Sequence, residues 1–298
     1  LPELKVTNKG GILLSNLLAH EAGLKAFIPH YTKTLSSGKW NPSYYKDSIS
    51  AGYTLPVSNE MYAQTTLRDS LWKWTVESEL LPKPYGYVYS DLTMYFMQAV
   101  IERIVNQPLD EFVAHNFYAP LGLQTLTFKP FEKIPLAQIA PTENDLTFRG
   151  RQIQGYVHDP GAAMYGGVAG HAGLFGTAQD LAVVFQLLLN KGSYGDVHLL
   201  KPETIAAFTK RQSKLSRRGW GWDKPEPEKG KGGSAGKLAP KSTFGHTGFT
   251  GTCVWADPEN ELTYIFLSNR VYPSATNNTL LDLGIRTKIH DLIYEAMK

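Results

Sequence analysis

Apolar side chains recur at helical spacing in several stretches. Leu13, Leu14, Leu17 and Leu18 predict a short helix within Gly10 to Leu24, with Gly23 as its stop. Met94, Met97, Val100, Ile101, Ile104 and Val105 give an apolar face to a helix over Leu92 to Asn106, capped by Ser90 or Asp91. A further helix follows Pro108, and Gly122 ends that unit. Thr177-Ala178-Gln179-Asp180 resembles a capping box with Asp in place of Glu, and opens an apolar helix to Leu189. Pro202 starts another helix.

After Gly219 the texture changes to short aromatic or β-branched runs. These predict strands over Gly219 to Asp223, Thr243 to Thr247, Thr252 to Ala256 and Leu262 to Ser268. Asp257-Pro258-Glu259-Asn260 joins the last two as a hairpin, because Pro presets the backbone at the second turn position. Leu281 to Met297 is an amphipathic helix able to cover one face of that sheet. Three segments lack periodicity. Lys25 to Pro84 is expected to form short surface helices, as a rim or lid. Phe128 to Tyr165 is expected to be irregular, and Pro225 to Lys241 a mobile surface loop.

Helices first, an antiparallel meander next and a closing helix last make the chain α+β rather than a repeating βαβ fold. We expect one domain over 1–298, with a mostly helical or irregular part (25–218) and a part of strands plus a C-terminal helix (219–298). Hydrophobic residues at 42% against 19% charged exclude whole-chain disorder. A formal charge of +3, without a basic stripe, gives no footing for a nucleic-acid partner. The single Cys253 excludes an internal disulfide and a cysteine-rich zinc site. No run reaches the roughly 20 apolar residues of a membrane span. Neither a cofactor nor a metal is expected.

Most formal motif matches fail on context. Gly232-Gly233-Ser234-Ala235-Gly236 fits G-x-S-x-G but lies in the Lys/Gly-rich loop, where no strand and helix would expose the hydroxyl. The Ser-x-x-Lys matches at Ser36–Lys39, Ser43–Lys46 and Ser234–Lys237 do not open an apolar helix. Two other constellations have better contexts. Tyr89-Ser90-Asp91 stands at the entrance of the Leu92 helix, where a tyrosine can serve as general base. His246-Thr247-Gly248 lies on a strand entering a hairpin, where the next backbone N–H can serve an oxyanion.

Together these motifs resemble the serine β-lactamase and penicillin-binding-protein superfamily in its class C-like branch. That branch carries S-x-x-K, then Y-x-N, then K-T-G or H-T-G. Leu17 to Leu24, the glycine-rich Gly167 to Phe175 with Thr177 and Asp180, and Leu267-Ser268-Asn269-Arg270 are similar to other segments of it. Tyr-Ser-Asp and Val157-His158-Asp159-Pro160 further resemble the serine hydrolase module fused behind family 3 β-N-acetylglucosaminidases in Bacteroidetes-type bacteria. The resemblance implies an antiparallel sheet flanked by helices with a helical subdomain. It also implies acyl transfer through an acyl-enzyme, on a cell-wall-related D-amino-acid peptide or ester, in the periplasm or cell envelope. Tyr89, Asp91 and His246 take catalytic roles in it, and Thr247, Gly248 and Phe249 bind substrate. The S-x-x-K helix is expected upstream of Leu1, which would leave this chain truncated and inactive alone, with a covalently linked glycosidase as partner. Asp91 departs from the pattern, because an ionised Asp cannot donate to a carbonyl as Asn does; it could instead be only the helix N-cap. His246 could add positive charge if protonated.

Two rival readings follow from the same residues. One is a non-catalytic cell-wall-binding or scaffolding domain of a larger glycosidase. The other is a metal-dependent hydrolase built on His158, Asp159 and His171.

Overall fold

The computed structural model describes residues 1–228 and 231–298. The chain is α+β, with antiparallel sheets and helices, and divides into two compact units. The first comprises Leu1–Asn116, Thr127–Phe175 and Tyr272–Ser274; the second comprises Phe117–Leu126, Gly176–Val271 and Ala275–Lys298. The division therefore does not fall at 218/219. The helices Ala178–Leu189 and Pro202–Thr209 belong with the C-terminal sheet.

In the first unit, Lys25 to Pro84 corrects the expectation of surface helices. It holds a three-stranded sheet of Tyr45–Lys46, Met61–Gln64 and Tyr53–Ser58, followed by the helix Leu67–Val76. Tyr45, Val57, Met61, Ala63, Leu67 and Leu71 are all buried in one apolar cluster, so this segment builds a core rather than a rim. Short strands broken by bulges erase the two-residue alternation that would have marked them. Phe128 to Tyr165 likewise contains a hairpin, Pro141–Asp145 with Arg151–Gln154, and the helix Pro160–Met164.

The first predicted helix is confined to Leu14–Leu18, and Gly23 lies in a later turn at φ +71°. The helix Leu92–Val105 forms as expected, but on a different face. Leu92, Tyr95 and Phe96 are buried with Thr93 and Gln98, whereas Ile104 is exposed. Gln98 turns inward because its amide bonds the Val168 carbonyl and the Gly170 N–H. The long side chain thereby ties the helix to the glycine-rich segment.

The second unit is built on the antiparallel sheet Phe244–Thr247, Cys253–Asp257 and Leu262–Phe266, in that order. Successive residues of the central strand face opposite sides. Cys253 and Trp255 pack with Ile289 and Ile293 of the C-terminal helix. Val254 and Ala256 pack with Val184, Phe185 and Leu188 of Ala178–Leu189. Covering both faces is why this strand reads as apolar throughout.

The C-terminal helix is two helices, Thr279–Asp282 and Ile285–Ala296, parted at Gly284 with φ +59°. Gly219 to Asp223 forms no strand beyond a bridge between Asp223 and Gly245. The capping box is half present. Thr177 accepts from the Asp180 N–H, while the Asp180 carboxylate accepts from the backbone N–H groups of Thr125 and Leu126. Of the expected mobile loop Pro225 to Lys241, residues 229–230 lie outside the described ones. Ala235 is buried, and the Gly236 and Leu238 N–H groups donate to His290 and Asp291. No helix among the described residues is long and apolar enough to cross a membrane.

Candidate active site

Tyr89-Ser90-Asp91 forms a turn pinned by the segment His20 to Ala26. The Val88 N–H donates to the His20 carbonyl, the Ser90 N–H to His20 Nδ1 at 3.1 Å, and the Asp91 N–H to the Ala26 carbonyl. Ser90 Oγ donates to the Lys25 carbonyl at 2.6 Å, so Ser90 is consumed as a structural tie. Accepting the Ser90 N–H fixes the His20 tautomer with its proton on Nε2. The His20 ring lies 4.5 Å from the Tyr89 ring, and the residue adopts φ +57°, a conformation non-glycine residues seldom take. Tyr89 remains 41% exposed on this fixed frame.

Asp91 occupies the N-cap position, yet its carboxylate caps nothing. It is drawn instead toward Asp159 and His171, and the three donor atoms lie within 4.8 Å of one another. Asp159 Oδ1 caps the helix Pro160–Met164 through the Ala162 N–H and bonds His171 Nε2 at 2.8 Å. Burial pushes the Asp91 carboxyl up, partly countered by the His171 charge. Burial also opposes ionisation of Asp159 and His171, but their mutual bond wins: Asp159 is held low and His171 high. The trio could share a cation only by giving up that hydrogen bond. His158, expected beside Asp159 and His171 in the metal reading, instead directs Nδ1 to Glu143 at 2.8 Å.

His246 to Phe249 lie in the second unit. Phe244–Thr247 is an edge strand, and among the described residues only Asp223 bridges its outer side, at Gly245. By the two-residue strand period, Thr247 presents its backbone groups to that same edge. His246 Nε2 lies 2.8 Å from Arg218 Nη1, and Nδ1 lies 2.8 Å from the Thr247 carbonyl. Arg218 can only donate, so Nε2 accepts and Nδ1 carries the single proton. Burial, reinforced by the Arg218 charge, lowers the His246 pKa. The hydrogen bonds and the lowered pKa therefore favour a neutral His246, and the charge beside it is that of Arg218, which lies 3.7 Å from Asp223. Beyond the strand, Arg270 Nε donates to the Phe249 carbonyl and its guanidinium lies 4.4 Å from the Phe249 ring. Arg286 Nη1 donates to the Gly248 and Thr252 carbonyls. Two arginines thus hold the backbone after Thr247.

Of the Ser-x-x-Lys matches, only Ser70–Lys73 lies in a helix among the described residues, Leu67–Val76, and there the Lys73 ammonium is exposed and turned to Glu77 at 3.8 Å rather than to the serine. Ser36–Lys39 is the tip of a two-residue-strand hairpin, and Ser43–Lys46 runs from a turn into a strand. Ser234 Oγ is bonded to Asp223 and Arg217, which also removes the nucleophile-elbow match. From the sequence, His171 enters only the metal reading, and His20 and Arg218 enter none; Arg218 is 28 residues from His246 in sequence.

The Beta-lactamase family profile matches residues 1–285. A protein of Escherichia coli K12 named "Putative D-alanyl-D-alanine carboxypeptidase" is 33% identical over 319 aligned residues, covering all of this chain and 68% of that protein. Among solved structures, a penicillin-binding-protein homologue from Caulobacter crescentus superimposes with a TM-score of 0.55 at 19% identity, covering 90% of this chain and 68% of that one. EstCE1, a hydrolase with promiscuous acyltransferase activity, gives 0.58 at 19% identity, covering 96% and 75%. At such identity the structural likeness is one of fold. The family profile and the Escherichia coli relative together show that the chain belongs to the Beta-lactamase family.

Proposed function

We propose that this chain carries most of a serine acyl-transfer site for D-amino-acid peptides or esters of the cell wall, working in the periplasm or cell envelope. The observation that carries this reading is the Tyr89-Ser90-Asp91 turn, whose backbone is tied at Ser90 and Asp91 while Tyr89 stays exposed. A fixed, accessible phenol is what proton transfer in an acylation step requires. The serine and lysine of the acylating pair come from sequence outside these 298 residues. The serine attacks the carbonyl, and the lysine with Tyr89 moves its proton to the leaving group. Water then cleaves the acyl-enzyme.

The second unit by itself carries features suited to binding a peptide. Its edge strand can add a substrate peptide as a further strand through the Thr247 backbone. The Phe249 N–H serves the oxyanion, held in place by the Arg270 contact to the Phe249 carbonyl. Arg218 with Thr247 takes the substrate carboxylate, and His246 orients Arg218. A linked amino-sugar hydrolase would place this activity in peptidoglycan turnover.

Intact-mass spectrometry of this chain and of an upstream-extended chain, each after a fluorophosphonate and a penicillin, tests the reading. An adduct on the extended chain alone supports it. An adduct on the 298-residue chain places the nucleophile among its own serines, and no adduct on either favours a binding module. Arg218→Ala is expected to raise KM for a carboxylate-terminated substrate by about tenfold or more, with kcat little changed. The matched neutral ester is expected to show no such change, and equal effects on both substrates would remove Arg218 from carboxylate binding.

A further inference from the structure

The Asp91, Asp159 and His171 trio goes beyond the roles assigned so far. Gly170 and His171 are held to the Leu92 helix, where Gln98 accepts from the Gly170 N–H at 3.0 Å. Gly170 backs so closely on the Met94 carbonyl that a side chain there would collide with it. This places the imidazole against the Tyr95 ring, at 4.6 Å, with its side chain 5% exposed. Asp159 is committed twice, to a helix N-terminus and to His171. Asp91 has been released from capping, and its oxygen faces the pair.

We propose that His171 is a positioning residue for the reaction: clamped by Asp159, it orients the facing Asp91 carboxylate at the entrance of the Leu92 helix. The proposal rests on the acyl-transfer reading above and deepens it. An ionised Asp91 accepts hydrogen bonds and donates none, so the site selects acyl groups that present an amide N–H or an amine there. Where the Y-x-N pattern would offer a donor to a substrate carbonyl, this chain offers an acceptor.

The groups facing the trio are Tyr95 from the Leu92 helix and His158 from the segment before Pro160–Met164, while Tyr165 packs against Tyr95. Of these, Tyr95 is held protonated far above neutrality, mainly by burial. Its charge therefore stays constant while Asp91 and His171 titrate.

The decisive measurement is an NMR titration of the His171 ring in the full-length protein and its Asp91→Asn variant. Removing the facing anion is expected to lower the His171 midpoint by about one pH unit. An unchanged midpoint overturns the proposal. Kinetics supply the second arm. His171→Gln keeps a neutral hydrogen-bonding group but removes the cation, so Asp91 becomes harder to ionise. The acid limb of kcat/KM is then expected to move up by about one pH unit. In the Asp91→Asn background the same substitution is expected to leave that limb where it is. Equal losses in both backgrounds make His171 merely structural and overturn the proposal. So does inactivation by EDTA reversed by Zn²⁺, which would make the trio ligands. The NMR arm needs no turnover, so failure of the acyl-transfer reading and failure of the His171–Asp91 coupling are separate results.

Discussion

Tyr89→Phe is expected to lower kcat/KM of the full-length protein by about a hundredfold or more, the usual scale for removing a positioned acid–base group. The ring itself is retained, so its packing 4.5 Å from His20 and the ties through Ser90 and Asp91 survive. Stability is therefore expected to change little, and the loss is expected in kcat rather than in KM. Steady-state kinetics on a D-alanyl ester, with a denaturant titration alongside, separate these effects. A Phe variant within a few-fold of the parent would show that the phenol carries no proton. His20→Ala offers a contrasting variant, because it removes the acceptor for the Ser90 N–H and the surface under Tyr89. Loss of activity and loss of stability are expected together there.

The second large effect is structural. Arg149 is wholly buried and gives four hydrogen bonds: Nε to Asp145 at 2.6 Å, Nη2 to Glu143 at 2.7 Å and to the His158 carbonyl, and Nη1 to the Val157 carbonyl. Asp145 accepts further from the backbone N–H groups of Thr147, Phe148 and Arg149. Arg149→Met leaves two buried carboxylates facing each other without a counter-charge, and is expected to cost about 3–5 kcal/mol. Arg149→Lys is expected to lie in between, because an ammonium cannot span both carboxylates and the carbonyls in a fork. Chemical denaturation measures the cost, and a loss under about 1 kcal/mol would contradict it.

The pH dependence has a definite sign. Burial raises the Asp145 pKa, but the Arg149 charge and hydrogen bonds outweigh it and hold Asp145 below its ordinary value. A depressed carboxylate stabilises the fold above its unfolded pKa, and that contribution fades as pH falls through the folded value. Acid is therefore expected to unfold the parent with a midpoint that the Arg149→Met variant largely loses. Asp159 directly follows the Val157 and His158 carbonyls that Arg149 holds. The same substitution is thus expected to loosen the pair that orients Asp91.

Much of the architecture was legible along the chain because its cause is local. The helices Ala178–Leu189 and Pro202–Thr209 follow from apolar spacing, a Thr cap and a Pro start. The hairpin Cys253–Asp257 with Leu262–Phe266 follows from strand runs around a Pro-bearing turn. Where short strands are interrupted by bulges, as between Tyr53 and Ser58, the period is lost and the core of the first unit went unseen. The buried face of the Leu92 helix was misread for a related reason. Gln98 is buried by partners about 70 residues away, and hydrophobicity cannot register a hydrogen bond.

The candidate site divides in the same way. Motif order alone named Tyr89, Asp91 and the strand His246-Thr247-Gly248, because each sits where a helix or hairpin begins. Their charge states were beyond that reading. His246 is held toward its neutral form because Arg218 approaches from a different loop, and Asp91 faces His171 because the glycine-rich segment brings that imidazole over the first turn of its helix. A residue's chemistry depends on the field and the hydrogen bonds around it, and these are set by neighbours in space rather than neighbours in sequence. Local spacing therefore named candidate side chains, and packing decided which partner and which electrostatic surroundings each of them has.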